Sequence, residues 1–87
     1  MDTENAVVEV GEVYNIKGIG IVIGAKIING VLKPSMKASI NGKNAIVRII
    51  EDRGLKLLQA TTGENVAVNL YGIERQDIQK GSQIEFT

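Results

Sequence analysis

Eighty-seven residues with no cysteine and no histidine suffice for one hydrophobic core, are too few for an enzyme built from two lobes, and exclude disulfides, thiolate metal sites and imidazole chemistry. We read residues 1–87 as a single domain with 1–5 a flexible acidic start; MDTENAVVEV lacks the apolar run of a signal peptide or membrane anchor, and a cysteine-free chain suits a reducing cytoplasm. Ten bases and ten acids cancel but segregate: residues 1–12 carry only acids, whereas 13–50 carry Lys17, Lys26, Lys33, Lys37, Lys43 and Arg48 and no acid, giving either a basic face or lysines that solvate outward strand positions.

Isoleucine and valine dominate, glycine and asparagine punctuate, and no stretch shows capped helical periodicity, which is the pattern of a small all-β domain. AVVEV (6–10) and VYNI (13–16) predict an opening strand broken near Gly11. GIVIGAKII (20–28) predicts a second strand closed by a tight turn at Asn29-Gly30. Pro34, which cannot donate to a ladder, marks a turn or strand start in VLKPSMKASI.

Asn41-Gly42 then predicts a hairpin into NAIVRII, because a type I′ turn needs two residues of positive φ. EDRGLKLLQATTGE (51–64) reads as a longer excursion, with Thr61-Thr62-Gly63 as turn chemistry. NVAVNLYGI (65–73) alternates, with Val66, Val68 and Leu70 on one face and Ala67, Asn69 and Tyr71 on the other. ERQDIQKG predicts a single helical turn ending at Gly81, before a last strand SQIEF. Six or seven short strands without room for crossover helices imply a small closed antiparallel β-barrel, since closure removes sticky edges.

The glycines of IKGIGIVIG (16–24) do not make a nucleotide loop. A dinucleotide fingerprint has glycine where this chain has Ile23, opens a helix, and is followed about 20 residues later by an acid; here β-branched residues follow and no acid lies near 38–44. Glycines that let a strand bend at a barrel corner fit better. Ser35, Ser39 and Ser82 have no histidine to activate them, and neighbouring Glu51 and Asp52 point to opposite faces if they end a strand. The carboxylates are too scattered for a hard-cation cage. We expect no enzyme, no metal and no cofactor.

VYNIKGIGIVIGAKIINGVLKPSM and GENVAVNLYGIERQDIQKGSQI resemble, in this order, the opening and closing motifs of the second domain of translational GTPases of the elongation factor Tu type. The similarity spans about residues 6–86. It implies a small antiparallel barrel, cytoplasmic and non-enzymatic, that in the family helps hold the 3′ end of transfer RNA. Matched residue by residue, the aliphatic walls of that pocket fall on Ile16 and Val22 and its glutamate on Glu51. A basic pocket residue falls on Gly54, an aliphatic one on Asn69, the family's arginine on Ile19 and a further basic residue on Tyr71, so these four differ.

The resemblance thus implies RNA as partner, either a transfer-RNA end or ribosomal RNA, with Lys17, Lys26, Arg48 or Arg53 on phosphates, and a GTPase or other translation factor beside it. Taken alone, Ile16 and Val22 read as barrel core, and Glu51 as a solvated strand-end acid. With two tyrosines, one phenylalanine and no tryptophan, a broad aromatic surface is not expected. A protein–protein adaptor or homo-oligomerising barrel with no RNA role is the second expectation.

Overall fold

The computed structural model describes residues 5–87. The alternating Ile/Val segments form β1 (Ala6–Ile16), β2 (Gly20–Leu32), β3 (Lys37–Ile40), β4 (Lys43–Asp52), β5 (Leu55–Leu57), β6 (Ala60–Thr61), β7 (Asn65–Tyr71) and β8 (Gln83–Phe86), with a 3-10 turn at Arg75–Asp77. Antiparallel neighbours run β3-β4-β7-β2-β1-β8, while β5 adds to β4 and β6 to β2. The ends of this row meet where Lys37 and Thr87 exchange N–H···O bonds of 3.0 and 2.8 Å. The sheet therefore curls into a nearly closed barrel with few free edges. Among the described residues six strands lie on the closing path and the two short additions make eight, above the six or seven expected.

Strand alternation fills the interior. Val8 and Val10 of β1, Ile23 and Ile27 of β2, Val47 and Ile50 of β4, Val68 of β7 and Phe86 of β8 are all at most 2% exposed. Each such side chain contributes about 1.5–3 kcal/mol of burial. Val66, Val68 and Leu70 face this core as the alternation predicts. Asn41-Gly42 takes φ of 54° and 78° and turns β3 into β4, as expected of the pair. No helix among the described residues is long and apolar enough to cross a membrane.

Several expectations need correction. β1 is not broken at Gly11: its register with β2 shifts between Val10 and Val13, so the chain accommodates Gly11-Glu12 as a bulge and pairs onward to Ile16. β2 does not turn at Asn29-Gly30 but continues to Leu32. Gly30 has φ +85° and a Cβ there would overlap the Asn5 carbonyl oxygen, so this glycine serves a close strand approach. The excursion 51–64 contains β5 and β6; Arg53 and Gly54, at φ 53° and 81°, form a hairpin turn between paired Asp52 and Leu55. An arginine in the first positive-φ position masked that turn. The helical turn is a 3-10 turn ending at Asp77, short of Gly81.

Residues 1–4 of the acidic start, with Asp2 and Glu4, lie outside the described residues. Asn5 is anchored: its Nδ2 donates to Glu85 Oε2 at 2.9 Å and its carbonyl accepts the Val31 N–H at 3.3 Å.

Candidate functional site

Directly opposed residues of antiparallel strands put their side chains on one face. Ile21, Ile23 and Ala25 of β2 point into the core, which turns Val22, Gly24 and Lys26 outward. Across the β1-β2-β7-β4 sheet this gives parallel outer rows. Tyr14, Val22, Asn69 and Ile49 form one; Gly24, Ala67 and Glu51 form the next; Glu9, Lys26 and Asn65 the one beyond. Ile16 pairs with Gly20 at the other end of the same face.

The fold thus brings four of the expected pocket residues, Ile16, Val22, Glu51 and Asn69, to one outer surface. Ile16 is 40% exposed and Val22 half-buried, so neither belongs to the core. The barrel-packing reading of this pair fails because both lie on the outward phase of their strands. Gly54 sits in the β4–β5 turn, beyond the end of the strand that carries Glu51, with no atom near its missing side chain. Arg53 beside it faces Asp52 only loosely, at 3.9 Å.

Asn69 has a local task. It is the buried polar side chain of the described residues, and its Nδ2 donates to the Ile21 carbonyl at 2.8 Å and to the Ile19 carbonyl at 3.4 Å. These bonds tie the loop 17–19 to β7. Close to Glu51 the face is lower, because Gly11, Gly24 and Ala67 offer almost no side chain. The result is an open depression of about 630 Å3 rimmed by Glu9, Lys26, Glu51, Asp52, Arg53 and Lys80. Its charges are mixed. Lys80 bonds Glu12 at 2.6 Å, which holds the Glu12 carboxyl below and raises the Lys80 ammonium above their ordinary ranges.

The opposite end of the face is basic and aromatic. The Arg48 guanidinium lies 5.7 Å from the centre of the Tyr71 ring, and Lys17 projects from the exposed loop between β1 and β2. Tyr71 and Tyr14 are 61% and 51% exposed. Neither tyrosine was expected to form part of the site. The alternation of NVAVNLY had already turned Tyr71 away from the core, but the bulge at Gly11-Glu12 reset the phase of Tyr14.

The basic segment 13–50 does not form one continuous surface. Lys26 and Arg48 belong to strands of this face and Lys17 to a loop at one end of it, whereas Lys43 is paired elsewhere with Asp77 at 2.8 Å; Arg53, beyond the segment, lies in the turn at the other end. No group of three or more acidic, histidine or cysteine side chains among the described residues is placed to hold a metal ion.

No protein-family model matches the chain. Among curated proteins, elongation factor 1-alpha of Metallosphaera sedula is 37% identical over 78 residues, covering 87% of this chain and 18% of that protein. Elongation factor 1-alpha of Pyrobaculum calidifontis is 40% identical over 72 residues, 80% of this chain and 16% of that protein. The chain therefore spans less than one fifth of the length of these relatives. Among solved structures, translation elongation factor SelB from Methanococcus maripaludis superposes with a TM-score of 0.80 at 20% identity over 93% of this chain and 18% of its own. GDP-bound aIF5B from Aeropyrum pernix does so with a TM-score of 0.82 at 19% identity, over 97% of this chain and 15% of its own. These two share the fold.

Proposed function

We propose that this chain, a homologue of the second-domain β-barrel of translational GTPases, is a non-catalytic module that docks on RNA through the outer face of β1-β2-β7-β4. The observation that carries the reading is the convergence of Ile16, Val22, Glu51 and Asn69 on that face, flanked by exposed Lys26 and Arg48. The RNA is a transfer-RNA 3′ end or ribosomal RNA, and a translation GTPase is the natural neighbour.

The chemistry is recognition only. Val22 and Ile16 give apolar contact to a base, the Glu51 carboxylate accepts a ribose hydroxyl, and Lys17, Lys26 and Arg53 hold phosphates. Aliphatic walls contribute less than the ~1–3 kcal/mol of an aromatic stack, so phosphate contacts supply much of the affinity. Gly54 offers no cation, and Arg53 beside it supplies one at that end.

Titration with total transfer RNA and with ribosomes at rising salt tests the reading. Binding should fall steeply, with a slope of about 0.7–0.9 per phosphate contacted. Replacing Lys17 and Arg48 by glutamate should weaken it roughly tenfold or more. Absence of affinity for both RNAs at low salt overturns the proposal. A second reading, a protein-docking barrel, is favoured by Leu55 and Leu58, which are 70% and 90% exposed around β5. Association insensitive to salt and abolished by Leu58→Ser would support it instead.

A further inference from the structure

Only three side chains of this protein are aromatic, and Phe86 is fully buried. Both others stand on the outer face described above, and Tyr71 is the more exposed, at 61%. A large ring left in water at a strand end gains little for folding. Instead it carries the Arg48 guanidinium at 5.7 Å, within the distance at which a cation is attracted to a ring. The two side chains form a wall between open depressions, one lined also by Ile46 and the other by Ile19 and Gly20.

We infer that Arg48 and Tyr71 form a stacking platform for an unpaired nucleobase of single-stranded RNA; this rests on the RNA-docking reading. Planar guanidinium and phenol groups both offer a π-compatible surface, and Ile46 gives the base an apolar neighbour on the open side. Charge selects the same ligand: among the described residues neither Arg48 nor Lys17 forms an ion pair, so both remain available to a polyanion. The base must be unpaired, because a duplex hides its faces in its own stack. Arg48 is thereby moved from the role of a phosphate contact, expected from sequence, to that of a base contact.

The absence of tryptophan makes tyrosine emission a direct reporter, and in a Tyr14→Phe background it reports Tyr71 alone. Short single-stranded oligoadenylate should quench that emission, and duplex RNA of the same length should not. Tyr71→Ala and Arg48→Lys should each weaken oligoadenylate binding roughly fivefold to a hundredfold, while Tyr71→Phe retains it. Arg48→Lys keeps the charge, and unchanged circular dichroism of each variant separates a binding loss from misfolding. Unquenched emission, or equal affinity of Tyr71→Ala and the parent, while salt-sensitive RNA binding persists, overturns the platform and leaves the RNA reading intact. If the parent binds no RNA at low salt, both fall together.

Discussion

Asp77 gathers donors from separate parts of the chain. Its Oδ2 accepts Lys43 Nζ and the Glu74 N–H, both at 2.8 Å, and its Oδ1 accepts Asn41 Nδ2 at 2.9 Å. The Lys43 hydrogen bond is the largest of the effects that hold its carboxyl at about 2, below the ordinary 3.8. A folded-state value below the unfolded one favours the native state fully above 3.8, and this contribution is lost as pH falls through about 2. Urea unfolding followed across that window should show the parent losing stability that Asp77→Asn, flatter in the same range, does not lose. Ser35 is a second residue-scale case. It follows Pro34 in the Lys33–Met36 turn with φ +79°, the position that type II turns reserve for glycine. Ser35→Gly should therefore raise stability in urea by up to about 1 kcal/mol, relieved strain exceeding glycine's added chain entropy.

At the scale of elements, the strands depend on where pairing is interrupted. Gly30 lets β2 pass the Asn5 carbonyl, and Gly30→Ala should cost roughly 2 kcal/mol or more in denaturant melts, through both overlap and positive φ. Asn69→Ala would leave the Ile21 carbonyl without its side-chain donor and free the β1–β2 loop, a loss of about 1–3 kcal/mol in the same assay. Legibility varied between elements for local reasons. Asn41-Gly42 announces its hairpin because both residues tolerate positive φ, whereas Arg53-Gly54 makes an equivalent turn that its arginine conceals. Asn29-Gly30 has the composition of a turn but lies within a strand, since pairing of Ala6 with Gly30 outweighs local turn preference. Long-range ladders override local signals wherever one residue type serves both.

Across the whole molecule, closure rests on a narrow contact. β3 and β8 are joined by the Lys37–Thr87 exchange, and fully buried Phe86 fills the interior beside it. Phe86→Ala should cost about 3–5 kcal/mol and lower the urea midpoint accordingly, because the barrel wall around it can collapse only partly into the space. The candidate site has the same origin in long-range structure. Ile16, Val22, Glu51 and Asn69 are scattered over more than half of the sequence, and register alone puts them on one face. The resemblance named them as a set and the alternation of NVAVNLY already turned Tyr71 outward; that Tyr14 joins them on this face was not legible, because the bulge at Gly11-Glu12 sets its phase.

Alternating apolar residues and positive-φ pairs act over a few neighbours, so the chain's own order was enough to specify β-strands, most of its turns and a barrel. Which outward side chains share a surface was decided by tertiary pairing. Each bulge, at Ile28, at Gly11-Glu12 and at Arg48, shifts the phase of everything beyond it, and only the partner strand determines where that shift occurs.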